Sequence, residues 1–474
     1  MSRDPNHDIL FEPITIGPKR MRNRFWQTTH CMGAGSERPG TQAHFRAMKA
    51  EGGWGTVCTE YCSVHPESDE YPWTSARLWD EGDVVNLGYM CDLAHQHDSL
   101  AGVQLWYSGI HAINMESREV PRGATQLASN VWASRTVYGY EMDEDDIKAV
   151  INMYVEAAKR AEAAGFDVLE VSGGDTTLPV QFLERRYNKR TDKYGGSFEN
   201  RMRFVREVAA DIRAKIGNDL ILGLRISADE MDEEGLKIEE SRAACAALDE
   251  DGVLDYLNIV LGSTATYTGW QHIIPHMQYD AGYTGKKSGE LKSAVKRLPV
   301  MIAGRINQPQ IAEEIIARGE ADMVGIVRGH IADPEFVNKA REGRADDIRA
   351  CIACDQACIG HRLKGFAISC IQHPETGREL DYYDKPKAET PRKVLVVGGG
   401  PGGMKAAAVA AERGHNVTLL EKTTQMGGQA LIAQLLPGRA EFGGIATNLA
   451  RECEIHGVTI RKGVVATREL IEAE

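Results

Sequence analysis

The chain has 474 residues, a length that allows roughly three domains at about 150 residues each. With 42% hydrophobic and 26% charged residues, 48 Gly and 17 Pro, the composition is that of an ordinary globular protein and excludes collagen-like, low-complexity and disordered chains. Lys and Arg number 55 against 68 Asp and Glu, and the formal charge of −13 argues against nucleic-acid or anionic-membrane partners, so a small ligand is expected.

The start, MSRDPNHDILFEP, lacks an apolar signal-peptide core, and the most apolar later run, 394–411, is broken by Gly398 to Gly403 and by Lys405. No membrane segment and a cytoplasmic location are expected. Eight short β-branched or apolar runs follow in order at 24–29, 55–60, 100–106, 166–172, 220–227, 254–261, 298–303 and 321–327, each followed by a segment of helical period. Their nearly continuous apolar character predicts parallel strands buried on both sides. The clearest helix starts at an Asp143/Asp146 cap, keeps Ile147, Val150, Ile151, Tyr154, Ala158 and Ala161 on one face and stops at Gly165. The fold class is α/β, a (β/α)8 TIM barrel; an open doubly wound sheet is the alternative. The barrel is expected to occupy 1–342, a cysteine-rich segment and polar linker 343–390, and a new domain 391–474.

Ten cysteines are too few for a disulfide scaffold in a chain of this length, and four of them fall within 351–370. The run Cys351-Ile-Ala-Cys354-Asp-Gln-Ala-Cys358, with Cys370 following, can wrap its thiolates around one inorganic cube, each iron taking one soft sulfur. Structural zinc also accepts four cysteines, but its ribbons usually present two separated CxxC pairs rather than three cysteines in so short a run. A [4Fe–4S] cluster held by Cys351, Cys354, Cys358 and Cys370 is therefore preferred.

In a barrel the chemistry sits where strands end. Those ends carry His30 and Cys31, Glu60 and Tyr61, Gln104 with Trp106 and Tyr107, Ser172 and Asp175, and Arg225. Trp270 and His272 follow strand six. Gly304-Arg305 and Arg328-Gly329 close strands seven and eight, two Gly/Arg pairs suited to grip a phosphate through backbone N–H groups and guanidinium forks. A phosphorylated cofactor is implied.

At this point the chain resembles the iron–sulfur flavoproteins of the old yellow enzyme class, the group of the trimethylamine dehydrogenases and 2,4-dienoyl-CoA reductases. The resemblance covers nearly the whole chain. It rests on Asp8-Ile-Leu-Phe-Glu-Pro, Asn23-Arg24-Phe25, Gly102-Val-Gln-Leu, Asn188-Lys-Arg-Thr-Asp-Lys-Tyr-Gly-Gly-Ser-Phe-Glu-Asn-Arg201, Ala303-Gly-Arg and the cysteine cluster. It implies FMN in the barrel, with Gln104 and Arg225 at the pyrimidine end and Gly304, Arg305 and Arg328 near the phosphate. A cation there stabilises an anionic reduced flavin; the competing structural reading of Arg225 is an ion pair with Glu170. The segment His30-Cys31-Met-Gly-Ala-Gly is similar to the one that bonds flavin covalently in the amine dehydrogenases, which implies attachment through Cys31; as a residue type, a lone cysteine is more often a small buried hydrophobe.

Strand four departs from both branches. Ene-reductases of the class carry His-x-x-Asn/His-x-Tyr there and the amine dehydrogenases Tyr-x-x-His-x-Tyr, whereas this chain has Ser172-Gly-Gly-Asp175-Thr-Thr177. Thr177 is too weak an acid to replace a phenol, and an ionised Asp175 repels an enolate and attracts a cation. Tyr61, Trp106, Tyr107 and Trp270 offer aromatic faces to a methylated ammonium, each worth roughly 0.5–2 kcal/mol when desolvated, or else serve as core filler. His272 is a candidate base or simply a packed histidine. Asp175, Tyr61, His272 and Trp270 are thus the candidate catalytic set, for a small methylated amine.

The run VLVVGGGPGG at 394–403 follows a strand and opens an alanine-rich helix, so Gly398, Gly400 and Gly403 suit a pyrophosphate. A second strand ends at Glu421, where a carboxylate can take ribose hydroxyls. A partial Rossmann-like nucleotide-binding domain for FAD or ADP is expected, and the chain is expected to stop inside it, by truncation, proteolysis or a split gene.

The sequence points to an FMN and [4Fe–4S] amine dehydrogenase or oxidative N-demethylase. It would form a homo-oligomer and pass electrons to an electron-transfer flavoprotein or ferredoxin. The alternatives are an NAD(P)H-dependent enoate or dienoyl-CoA-type reductase and a noncatalytic electron-transfer or scaffold subunit.

Overall fold

A computed structural model describes residues 5–69, 75–129, 138–382 and 384–474. Eight parallel strands close on one another: β1 Phe25–Gln27, β2 Thr56–Ser63, β3 Leu100–Trp106, β4 Val168–Gly173, β5 Ile221–Ser227, β6 Tyr256–Val260, β7 Val300–Ala303 and β8 Met323–Ile326. Neighbours in sequence are neighbours in the sheet, and β8 pairs back onto β1, Val324 opposite Phe25. The expected barrel is therefore the observed one, with no free edge among these strands, and each predicted run contains its strand or overlaps it. Helices α1 Pro39–Glu51, α2 Glu81–His95, α3 Glu144–Ala163, α4 Phe198–Ile216 and α5 Ile238–Asp251 follow successive strands and sheathe the outside.

Helix α3 shows how local sequence sets the frame. The Asp143 carboxylate accepts from the N–H of Asp145 and Asp146, the Asp146 carboxylate accepts in return from the N–H of Asp143, and Gly165 turns the chain away at φ +87°. Inside the barrel the lower layer is apolar: Trp26, Cys58, Val168, Ile221, Tyr256, Met301 and Met323 pack together. Below them the hairpin Ile14–Ile16/Lys19–Met21 seals the N-terminal end with Ile16 and Met21. The open end is thus the other one, where the strands deliver their C-terminal residues.

After the barrel the chain runs through the cysteine segment into a second sheet of three parallel strands, β9 Lys393–Val397, β10 Asn416–Glu421 and β11 Thr459–Lys462, in the order β9-β10-β11. Helices α6 Pro401–Glu412 and α7 Gly443–Ile455 join successive strands. Their apolar faces meet in a small core around Met404, Leu419, Leu449 and Cys453, to which the cysteine segment adds Ile352. Among the described residues no helix is long and apolar enough to cross a membrane.

Candidate active site

One cavity opens at the C-terminal end of the barrel. Its wall takes residues from nearly every strand end: His30 and Cys31, Tyr61, Gln104 and Trp106, Asp175, Arg225, Trp270 and His272, Gly304 and Arg305, and Arg328. Most of the strand-end residues singled out from sequence are therefore brought together; Glu60, Ser172 and Tyr107 do not line the cavity, and Tyr107, fully buried with its ring 6.5 Å from that of Tyr154, is core filler rather than an aromatic face of the site.

The floor is a polar layer held in register. Tyr61 lies opposite Gln104, and Gln104 opposite Glu170. Glu170 accepts from Gln104 Nε2 at 2.6 Å, Tyr256 OH at 2.8 Å and Asn258 Nδ2 at 2.9 Å. Three neutral donors occupy its carboxylate, and Arg225 does not pair with it. Arg225 instead reaches up to the rim, its Nη2 3.0 Å from Asp175 Oδ2. The expected alternative partner, Glu170, is thereby corrected to Asp175. Asp175 and Thr176 both adopt left-handed backbone, φ +55° and +65°, a strained turn that brings the carboxylate back over β5. The Thr177 hydroxyl is spent on the carbonyls of Ser172 at 2.6 Å and Gly174 at 2.9 Å. The charge of Asp175 is matched by Arg225, so it faces the cavity as half of an ion pair.

Among the described residues, the buried Arg225 Nε, Asp175 Oδ1 and Asn307 Oδ1 have no hydrogen-bond partner. Such orphans in a cavity wall are what a polar heterocycle satisfies, so this donor and acceptor set fits a flavin. The phosphate corner is built but differently engaged. Gly304 has φ +136°, and a Cβ there would lie 2.5 Å from Thr284 Cγ2. Arg305, itself left-handed at φ +54°, donates from Nε to the Tyr279 carbonyl at 3.0 Å and forks onto the Glu441 carboxylate of the second sheet's domain. Arg328 binds Asp355 Oδ1 at 2.6 Å and the Pro275 carbonyl at 2.7 Å. Both arginines line the cavity while holding carboxylates.

Sequence reasoning placed Glu60 at the rim without a role. The structure gives it one. A register shift between Cys58 and Tyr61 re-aims the strand. The fully buried Glu60 then accepts from the N–H groups of Met32 at 2.6 Å, Gly33 at 2.8 Å, Ala34 at 3.3 Å and Gly35 at 3.1 Å. Buried Arg46 ties the same loop through the His30 carbonyl at 2.8 Å. Burial, then the Arg46 charge, pushes the His30 imidazole well below its usual range, so it is neutral. Cys31, half-buried with its Sγ 3.9 Å from Ser75 Oγ, is held at the cavity by this clamp. The missed signal was the pair of a carboxylate at a strand end and a glycine-containing loop with N–H groups to bind.

Tyr61 stacks on Trp106 with centroids 4.2 Å apart and planes at 22°. Trp270 and His272 come from the short helix Tyr267–Ile273, and His272 Nδ1 meets Tyr283 OH at 3.0 Å. Burial lowers the His272 pKa, which keeps the ring neutral near pH 7.

Cys351, Cys354, Cys358 and Cys370 line a second, smaller cavity, and Cys351 and Cys358 also line the first. Ala353 and Asp355 take left-handed backbone, φ +45° and +56°, so the loop doubles back and turns its thiols inward. Burial pushes the Cys351 and Cys358 thiols up to about 12. Four soft thiols around one cavity are a donor set that fits an iron–sulfur cluster.

At the nucleotide end the glycines divide their work. A Cβ on Gly403 would lie 2.0 Å from the Gly398 carbonyl oxygen, whereas Gly398, at φ +104°, and Gly400 border open space. Glu421 stands at the end of β10, but its carboxylate accepts from the N–H of Gly399 at 2.7 Å and Thr423 at 2.8 Å. A second cavity lies on the flank of α6, between Ile371, Gln372 and Pro374 on one side and Pro401, Gly402 and Lys405 on the other, so it touches the start of the helix that the glycine turn opens.

A family model described as FAD dependent oxidoreductase matches residues 393–452. The chain is 38% identical to dimethylamine dehydrogenase of Hyphomicrobium sp. (strain x) over 458 residues, 93% of this chain, and spans 61% of that relative's length. It is 34% identical to the N,N-dimethylglycine/sarcosine dehydrogenase of Chromohalobacter salexigens, over 98% of this chain and 67% of that one. Reductases match too, among them the cinnamate reductase of Clostridium sporogenes, 32% identical over 89% of this chain and 66% of that one. The structure of histamine dehydrogenase from Rhizobium sp. 4-9 superimposes with a TM-score of 0.92 at 34% identity, over 98% of this chain and 67% of that one. A second family model matches residues 9–347, the barrel and the start of the cysteine segment, and by it the chain belongs to the NADH:flavin oxidoreductase / NADH oxidase family.

Proposed function

We propose that the chain is an amine dehydrogenase that oxidatively demethylates a small N-methylated amine. The observation that carries this reading is the rim of β4. Where a reductase needs a proton donor, the Thr177 hydroxyl is tied to two carbonyls and Asp175 to Arg225, while Tyr61, Trp106 and Trp270 turn aromatic surface to the cavity. A methylated nitrogen is attracted to such faces. The names of the dimethylamine and dimethylglycine dehydrogenases among the relatives agree with it.

In this reading residues 1–342 form the FMN barrel, 343–390 the cluster segment and 391–474 part of an FAD or ADP domain. Gln104 and Arg225 meet the pyrimidine end of the flavin, and Gly304, Arg305 and Arg328 its phosphate. When bound, the flavin accepts the hydride equivalent lost beside nitrogen. Asp175 orients Arg225. Trp270 and the Tyr61–Trp106 stack hold the methylated nitrogen and exclude water, and the neutral His272 ring is available to accept a proton. In the overall balance one N-methyl group and one water give an N–H group and formaldehyde, with two electrons and two protons leaving. Cys351, Cys354, Cys358 and Cys370 would hold a [4Fe–4S] cluster, which would supply one-electron transfer, and Cys351 and Cys358 line both its cavity and the flavin cavity. An electron-transfer flavoprotein or ferredoxin is the acceptor beyond it, and Cys31 is the point of covalent flavin attachment.

Anaerobic mixing with methylated amines is expected to bleach the flavin; bleaching by NAD(P)H alone, with reoxidation by an enone, is the result that makes the protein a reductase. Asp175→Asn, which removes the ion-pair partner that orients Arg225, should lower FMN retention. Acid precipitation is expected to leave flavin on the wild-type chain and to release it from Cys31→Ala.

A further inference from the structure

The loop that carries Cys31 is held from two sides. Glu60 grips it from the barrel through the N–H groups of Met32, Gly33, Ala34 and Gly35. The other side belongs to the cysteine segment. Ile368 donates its N–H to the Met32 carbonyl at 2.8 Å, and Gly33, at φ +81°, packs so closely that a Cβ on it would lie 2.7 Å from Ala367 Cα. Met32 and Ala34 share a small core with Phe45, Ile331 and Ile368, and Cys370 packs against that core. The Cys31 loop and a cysteine of the cluster segment thus meet across a few side chains, and Cys31 and Ile368 both line the flavin cavity.

Residues 366–368 lie outside any helix or strand, in the stretch between Cys358 and Cys370. Their internal ties are few. Ser369 N–H donates to the Ala357 carbonyl at 2.8 Å, Phe366 N–H to the His361 carbonyl at 3.0 Å, and the Ala367 carbonyl meets His361 Nδ1 at 3.2 Å. Joining the thiols at both ends to one metal group closes this stretch into a loop and removes most of its remaining freedom. The dependence runs one way. Glu60 holds the Cys31 loop from the barrel whatever the segment does, but the wall on the other side is firm only when the segment is closed.

We infer that the cysteine segment is a positioning element for Cys31: through Ile368 and Ala367 it passes the order imposed between Cys358 and Cys370 to the Cys31 loop, so that flavin attaches after the cluster is in place. The inference rests on the readings of Cys31 as attachment point and of Cys358 and Cys370 as cluster ligands, and adds an order between them. Attachment replaces the Cys31 S–H bond and one flavin ring C–H bond by an S–C bond. Two protons and two electrons leave, the electrons to dioxygen or to the acceptor protein of the proposed reaction.

The test starts from the wild-type chain made under iron limitation, supplied with FMN in air, before and after iron and sulfide are restored. Acid-stable flavin is expected to form about 100-fold more slowly in the iron-free protein, since a displacement of about 1 Å costs that much in a bond-forming step. Total bound FMN, held at its phosphate and pyrimidine ends, should stay the same. Cys370→Ala should behave as the iron-free wild type. Gly33→Ala keeps all four cluster thiols but drives a Cβ into Ala367, and should retain iron while attaching flavin about 10-fold more slowly. Cys31→Ala should retain iron and release all its flavin in acid. Equal attachment rates with and without iron overturn the inference, and so does loss of iron from Cys31→Ala, which would reverse the dependence. A wild type that holds iron and never acid-stable flavin refutes attachment at Cys31; one that holds acid-stable flavin and never iron refutes the cluster, and either result takes the inference with it. The iron-free wild type carries no substitution, so the decision does not depend on how the variants fold.

Discussion

The barrel and the second sheet both place a ligand site at the carboxyl ends of parallel strands, yet they surround it differently. The barrel closes on itself, and β1, β2, β4 and β6 are buried along nearly their whole length. Its cavity collects side chains from all round the ring. The second sheet has three strands, and its first, β9, lies at an edge with Lys393 and Val397 exposed. Its site is little more than a turn, a helix start and one carboxylate. The difference separates two kinds of information. A glycine turn is local and can be read from about ten residues, whereas a cavity wall is assembled from positions far apart in the chain and exists only when the ring closes.

The cysteine segment joins the two regions, and the largest effect is expected there. It gives Ile352 to the core of the second sheet and lines the barrel cavity with Cys351 and Cys358. Cys351→Ala should abolish bound iron and its visible absorbance while the barrel still melts cooperatively. The second sheet should become protease-sensitive, because a metal group that holds a loop contributes its binding energy to folding. Full iron content in that variant would remove Cys351 from the ligand set.

Within the barrel the strongest single dependence is on Glu60. Removing a buried carboxylate that four backbone N–H groups share leaves those donors without their acceptor and takes a nearby counter-charge from buried Arg46, so Glu60→Ala should cost about 3–5 kcal/mol, read as a lowered denaturation midpoint. The same variant should bind flavin more weakly, since the Cys31 loop forms part of the wall. A midpoint within experimental error of the wild type would show that water replaces the carboxylate.

How much of this was legible follows the same division. The eight strands were readable because each is a short, nearly continuous apolar run, and the α3 cap because Asp143 and Asp146 act within one turn. The cysteine spacing and the nucleotide glycines are local as well. The partners of the rim charges were not readable. Arg225 was weighed against Glu170 on the neighbouring strand, but the choice of Asp175 depends on a left-handed turn at Asp175 and Thr176 that neither residue type announces. Arg305 and Arg328 were expected near a phosphate, and their carboxylate partners Glu441 and Asp355 come from separate segments that only the folded chain brings to them.

The glycine turn offers a sharper test of what is fold and what is ligand site. Gly403→Ala drives a Cβ to within 2.0 Å of the Gly398 carbonyl oxygen, and should destabilise the second sheet by about 1–3 kcal/mol without changing the barrel transition. Gly400→Ala meets open space and should fold normally, yet crowd the approach of a pyrophosphate and lower adenine-nucleotide binding. If both variants fold and bind alike, the turn is not a nucleotide site.

The smallest effect concerns how the second sheet is fastened. Glu375 lies in the cysteine segment, its side chain 8% exposed, with Lys385 Nζ at 3.2 Å and Lys405 Nζ at 3.7 Å; Lys405 in turn reaches Glu452 at 3.1 Å on α7. Burial works against the Glu375 charge, but the neighbouring His373 and the two ammonium groups outweigh it and hold the carboxyl well below the usual range. A carboxylate with a lowered folded pKa contributes stability that is fully present above its unfolded value, about 4.3, and is lost as pH falls below it. Acidification from about pH 6 to about 3.5 should therefore loosen the second sheet before the barrel, measured by amide exchange in α6 and α7. Glu375→Gln should be looser already at the higher pH and change less between the two pH values, because the charge that titrates is gone. Equal acid sensitivity in wild type and variant would place the titrating group elsewhere, with the cluster thiolates the next to examine.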